Sequence, residues 1–144
     1  IDKKGRPVNL GYCLGNEFSD HEMEKINYLY LAHSKLRPCS YGPELVTGPL
    51  PGSISGISRI TREGKTLWQK EFLTGEENMS HNLANLAHHH FKYELFRQPG
   101  DAHVHFFGAS ALSCLENIRT KDGDIFSIEA DYFGTPLVNP LKIG

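Results

Sequence analysis

Glu17 and Lys35 are the two residues in this chain whose types and positions could do chemistry together. Glu17 lies in the run Gly15-Asn16-Glu17-Phe18-Ser19-Asp20, and Lys35 is followed by Gly42-Pro43-Glu44-Leu45-Val46-Thr47. An apolar stretch over residues 8–14 reads as a strand that delivers the chain to Gly15 and Asn16. Glu17 then stands at a strand end, where a side chain can face a cleft while the sheet holds it still. A carboxylate and an ammonium delivered to one cleft suit a ligand. Taken singly they read more simply as a solvated strand-end acid and a surface lysine.

The histidines invite a second reading, because His88-His89-His90 and His103-x-His105 are metal ligands by type. Consecutive helical residues do not share a face, so the triple cannot chelate as a unit. His103 and His105 share a face if they lie on a strand, but the sequence identifies no third ligand, and they read as structural residues. Glycine-rich phosphate loops and nucleophile-elbow motifs are absent.

The elements that must position these residues follow from periodicity and turn signals. Residues 20–30 carry Met23, Ile26 and Tyr30 at helical spacing, with Ser19 as cap and Glu22 three residues on. Residues 36–43, punctuated by Pro38, Gly42 and Pro43, read as a stiff irregular loop through which Lys35 enters the site. Residues 54–61 and 66–73 flank Arg62-Glu63-Gly64-Lys65 as a hairpin. Residues 80–96 form the main helix, ended by Pro99-Gly100. Residues 102–108 and 125–133 alternate as strands, and 135–141 is a short edge strand with tolerated prolines. Trp68, Phe72 and the tyrosines are core or interface residues. Many strands, one main helix and frequent glycine turns define an α+β domain dominated by β structure.

Composition narrows the function classes. A chain of 144 residues fits one domain with a real core. Its 15 basic and 17 acidic residues leave a net charge of -2 with no basic cluster, which excludes a nucleic-acid footprint and an anionic-membrane patch. No apolar run approaches the ~18 residues of a membrane span. Cys13, Cys39 and Cys114 are odd in number and lack Cys-x-x-Cys spacing, so neither a disulfide framework nor a zinc site is indicated, and the cytoplasm is the expected compartment.

Asn16-Glu17-Phe18-Ser19, then Lys35, then Gly42-Pro43 with Leu45-Val46-Thr47, resembles the core signature of the fumarylacetoacetate hydrolase superfamily. Pro99-Gly100-Asp101 and Asp122-Gly123-Asp124 continue it in order. The likeness runs from about Gly11 to the end of the chain and is nearest the branch acting on 2-keto-3-deoxy sugar acids. It implies a mixed β-roll with one main helix and a carboxyl-terminal catalytic domain over residues 1–144. It also implies a homodimer acting on a small-molecule 2-keto acid.

The resemblance further implies that Glu17 binds Mg2+ or Mn2+ together with a Glu-x-Glu pair on a preceding strand. Residues 1–16 contain no glutamate, so that pair is expected upstream of Ile1 and the chain is expected to be part of a longer enzyme. Ile1 to Arg6 would be the far half of a hairpin turning at Lys4-Gly5. Lys35 matches the lysine that contacts substrate or steadies its enolate. His21 and Glu24 fall where relatives carry substrate-facing arginine and glutamine. Ala109 stands where they have a threonine that hydrogen-bonds the substrate, a contact alanine cannot make. The activity implied is dehydration of a 2-keto-3-deoxy sugar acid by a lyase, inactive as this piece alone. C–C bond hydrolysis, or a binding module that kept the fold without a complete metal site, are the alternatives.

Overall fold

The computed structural model describes residues 1–109 and 111–143. Its centre is an antiparallel hairpin of β3 (Ile54–Arg62) and β4 (Lys65–Thr74), onto which β5 (Ile125–Ala130) and β6 (Leu137–Pro140) add in the order β4-β3-β5-β6. All three strand pairings in this sheet are antiparallel. Before it come β1 (Gly15–Asn16), α1 (His21–Ile26), α2 (Leu31–Ser34) and β2 (Ser40–Tyr41), with β1 and β2 paired antiparallel. Between β4 and β5 lies α3 (Leu83–Phe91). The result is α+β and dominated by β structure.

Alternation along β3 explains the core. Ile54 and Ile60 turn to one face, and Ile60, fully buried at 0% exposure, sits between its cross-strand neighbours Trp68 and Phe126. Burying such a side chain stabilises the fold by roughly 1.5–3 kcal/mol. Leu14, Ile54, Ala130 and Leu137 form the buried cluster, covered by Leu50, Phe72, Ile128, Tyr132 and Phe133. Trp68 is thus core and Phe72 and Tyr132 lie at its edge, whereas Tyr28, Tyr30, Tyr41 and Tyr93 are exposed and are not core residues. The hairpin turns on Glu63 and Gly64 alone, both at positive φ (50° and 76°), as a two-residue turn matched to strand twist requires. The strands therefore run on to Arg62 and Lys65, beyond the four-residue turn expected.

A second anchor ties the sheet's end. Asp124 is fully buried, and its carboxylate accepts from Arg62 Nε at 2.7 Å, Arg62 Nη2 at 2.8 Å and the Lys121 backbone N–H at 2.8 Å. Those bonds, led by the one from Arg62, outweigh burial and hold its pKa down to about 2.

Other expectations are corrected. Residues 8–14 are not a strand. Tyr12 makes an isolated bridge to Val46, and regular pairing begins at Gly15. The helix over 20–30 is broken into α1, a 3-10 turn at Tyr28–Tyr30 and α2, and its cap is Asp20, which accepts from the Met23 N–H, in place of Ser19. Asn27 accepts from the Leu29 N–H and ends α1. The stiff loop over 36–43 contains β2. The helix over 80–96 shortens to α3, capped by Asn82, with a separate 3-10 turn at Glu94–Phe96. Residues 102–108 carry no strand. Those expected over 125–133 and 135–141 shorten to β5 and β6. At Lys4-Gly5 the chain does turn, with the Asp2 N–H donating to the Arg6 carbonyl, but no strand flanks the turn.

No buried residue lies on α1, and Ile26, Leu29 and Leu36 are largely exposed. The accessible surface is 10094 Å², against about 7,500 Å² for a compact monomer of 16.2 kDa. Among the described residues no helix is long and apolar enough to cross a membrane.

Candidate functional site

Three contacts fix the backbone on either side of Glu17. The Phe106 ring packs over Gly15 so closely that a Cβ there would stand 2.9 Å from Phe106 Cε1. Asn16 Nδ2 donates to Asn139 Oδ1 at 3.2 Å, and Ser40 Oγ donates to the same oxygen at 2.7 Å, so Asn139 on β6 pins both strands of the small sheet to the large one. Phe18 meets Phe126 edge to face at 5.6 Å. Glu17 is left to project from a held strand end.

Lys35 reaches it from the end of α2 and not from a loop. Its backbone N–H donates to the Ala32 carbonyl at 3.2 Å, and its Nζ donates to Glu17 Oε2 at 2.9 Å and to Ser19 Oγ at 2.8 Å. The segment between is drawn closed by buried Ser34, whose carbonyl accepts the Asp20 N–H at 2.9 Å, and by the ion pair of Asp20 with Arg37. The Met23 N–H and then Arg37 hold the Asp20 carboxyl below its usual range. Glu17 and Lys35, 18 residues apart in sequence, thus form one charged pair.

The other candidates are arranged differently. His21 and Glu24, on the first turn of α1, bond to one another through Nδ1 and Oε2 at 3.0 Å. Ala109 follows Phe106, Phe107 and Gly108, which line an open cleft of about 260 Å³ with Asn78, Met79, Ser80, His81 and Leu86. His103 meets His90 of α3 at 3.2 Å. The residues that sequence reasoning missed are Ser40, Asn139 and the pair Asp20–Arg37. Polar partners 99 and 123 residues apart leave no local signal.

A hard dication takes about six oxygen donors, several of them waters, and is bound through one or two carboxylates together with substrate oxygens. Glu17 offers one carboxylate, already bonded to an ammonium through Oε2. Among the described residues no group of three or more His, Cys, Asp or Glu is disposed to hold a metal ion. Glu17 can therefore supply one donor to such a site, and the rest must come from other protein oxygens, substrate or water.

The fold is fumarylacetoacetate hydrolase-like, as its structural neighbours establish. It resembles a solved 2-keto-3-deoxyarabinonate dehydratase with a TM-score of 0.71 at 25% identity, over 99% of this chain and 47% of that one. It likewise resembles a 2-keto-3-deoxy-D-arabinonate dehydratase complexed with magnesium and 2,5-dioxopentanoate, at a TM-score of 0.70 and 25% identity over 99% and 49%. In sequence the chain is 27% identical, over 147 aligned positions, to the 2-dehydro-3-deoxy-D-arabinonate dehydratase of Saccharolobus solfataricus, covering 99% of this chain and 46% of that enzyme. The chain thus spans about half the length of the relatives it matches. No family model matches it.

Proposed function

We propose that this chain is the carboxyl-terminal catalytic part of a fumarylacetoacetate hydrolase superfamily enzyme that dehydrates a 2-keto-3-deoxy sugar acid. The observation that carries the proposal is the Lys35 ammonium, held at 2.8–2.9 Å on Ser19 and Glu17 beside an anchored strand end. It occurs in a chain similar over nearly all its length to dehydratases of this substrate class.

In such a reaction a general base takes a proton from carbon 3, next to the keto group, and hydroxide leaves carbon 4 to complete a molecule of water. The resulting 3-ene then isomerises, hydrogens passing from carbon 5 and its hydroxyl to carbons 3 and 4, to give the 2,5-dioxo acid. Negative charge gathers on the keto oxygen as the proton departs. Lys35 supplies a fixed positive charge for it, already oriented by Glu17 and Ser19, so little reorganisation is needed during the step. His21 and Glu24 would grip the substrate as a bonded pair, and Ala109 offers it only an apolar contact. Magnesium, with manganese as the alternative, would need donors besides Glu17, so the 144 residues alone should bind it weakly and turn over no substrate. The three free cysteines suit the cytoplasm.

A homodimer is part of the same proposal, for which the exposed Ile26, Leu29 and Leu36 offer a contact surface. Sedimentation equilibrium would read it, and a monomer at all concentrations would remove it. The non-enzymatic alternative draws on one observation, the single carboxylate of the donor set.

The activity is tested with 2-keto-3-deoxy-D-arabinonate and Mg2+, following 2,5-dioxopentanoate, on the full-length protein that carries this chain. A panel of other 2-keto-3-deoxy pentonates and hexonates extends the test. No turnover of any of them would exclude the dehydratase, and cleavage between carbons would favour the hydrolase.

A further inference from the structure

We propose that His90, His103 and His105 form a proton-sensitive clamp, which holds residues 102–108 against α3 while the rings are neutral and releases them when more than one is protonated. His90 Nε2 and His103 Nδ1 lie 3.2 Å apart, a separation at which one ring lends a lone pair and the other supplies the hydrogen. The His105 ring closes the triangle, 4.8 Å from His90 and 6.4 Å from His103 between centroids. Phe96 stacks on His90 at 4.4 Å, and Phe91 meets His103 and His105 edge-on at 5.2 and 5.8 Å.

No carboxylate among the described residues bonds to these three rings. The charged groups of the packed elements are engaged elsewhere: Lys92 with His89 at 3.4 Å and the Tyr93 ring at 5.1 Å, and Arg97 with Glu94 at 3.9 Å. His88 lies edge-on to His89, and the carboxylate of Asp101, whose backbone carbonyl accepts from the amino terminus, bonds to none of the three rings. His103 Nε2 and Arg97 Nε are buried without a partner.

One proton is tolerated, since it serves the His90–His103 bond and lies against the face of Phe96. A second leaves hydrogens on both facing nitrogens, and attraction becomes repulsion. Partial burial, then His90 and His103, already hold His105 below its usual 6.5. A depressed histidine pKa means the unfolded chain takes the proton first. The clamp is therefore complete above pH 6.5 and weakens as pH falls through the folded value. The residue after His105 is Phe106, whose ring fixes Gly15 below Glu17, so release would loosen that strand end as well.

Proton NMR of the protein at about pH 7.5 and about pH 5 tests this without reference to catalysis. Ring-to-ring cross-peaks from His103 and His105 to Phe91, and from His103 to Phe96, should be lost in acid while those within β3 and β4 hold. In His90→Phe, which keeps a ring on Phe96 but takes no proton, that pH dependence should shrink to the part set by burial of His105. A histidine NMR titration of the unaltered protein needs no variant, and His105 should titrate below its usual value with a curve coupled to its neighbours. Three independent, ordinary titrations would overturn the clamp. So would unchanged ring contacts in acid, or the same pH dependence in His90→Phe.

Discussion

Replacing Lys35 by alanine separates a role in chemistry from a role in the fold. Its ammonium touches Glu17 Oε2 at 2.9 Å and Ser19 Oγ at 2.8 Å, and the two charged side chains keep 35% and 40% of their accessible surface. Water screens a pair so open, which limits its contribution to about 0.2–1 kcal/mol. For a domain of this length that is a fall in melting temperature of no more than about 4 °C. A well-placed charge that meets a developing oxyanion is larger, about 10² to 10³ in kcat or roughly 2.7–4 kcal/mol. The two roles thus move different observables by different amounts. Steady-state kinetics with 2-keto-3-deoxy-D-arabinonate and Mg2+ on the longer enzyme proposed to carry this chain, paired with thermal melts of the 144-residue domain, should give a kcat lower by about 10² to 10³ with a nearly unchanged melt. Lys35→Arg should recover only part of the loss, because the guanidinium is broader and does not release its proton. Wild-type kcat in both variants would make Lys35 a solvated surface residue. A fall in melting temperature well beyond 4 °C would make its role structural.

Three further outcomes are expected. Glu17→Gln should abolish metal-dependent activity while costing less than about 1 kcal/mol of stability, since the pair it breaks is half exposed, and retained activity would remove Glu17 from the site. Gly15→Ala puts a Cβ 2.9 Å from the Phe106 ring, so it should cost about 1–3 kcal/mol and lower kcat, and adding Phe106→Ala should return part of the stability. Asp124→Asn should cost about 3 kcal/mol at neutral pH, where it strips a buried ion pair of its charge. Because the folded Asp124 carboxyl titrates at about 2 and its ordinary value is 3.8, the unfolded chain is protonated first as pH falls. That stability is full above about pH 4 and lost between about 4 and 2, a slope that urea titrations should find in the wild type and reduced in Asp124→Asn.

What was legible in the chain was local. The hairpin through Glu63 and Gly64 announces itself by β-branched residues around a two-residue turn, and the core role of Trp68 follows from the same alternation. Helix ends were misjudged where side chains compete for backbone groups. Asp20 takes the Met23 N–H, and Asn27 takes the Leu29 N–H, which breaks one apolar pattern into two short helices. Residues 102–108 alternate as a strand would, yet Phe106 serves β1 through its side chain while the segment's backbone joins no sheet. The pairing of Glu17 with Lys35 was legible only through motif order. Its support from Asn139 and Ser40 is set by tertiary contact across the whole chain.

The acidic residues divide by what their oxygens are free to do. Asp124, in the Asp-Gly-Asp motif that extends the family likeness, is fully buried and its carboxylate accepts three hydrogen bonds, two from one guanidinium. No lone pair is left facing solvent or substrate, so this acid fastens β3 to the entry of β5. Glu44 is similarly engaged, since its Oε2 accepts the backbone N–H groups of Gly134 and Thr135 at 2.8 and 3.0 Å. Glu17 differs from Asp124 in combining a held backbone and an open side chain with an Oε1 that accepts no hydrogen bond from the described residues. A carboxylate built to hold the fold is saturated by its neighbours, and one built to meet a ligand must be kept partly unsatisfied at the end of something stiff. On that criterion the proposed site would centre on Glu17, and the lysine bonded to its Oε2 is the group whose removal the proposed chemistry should feel first.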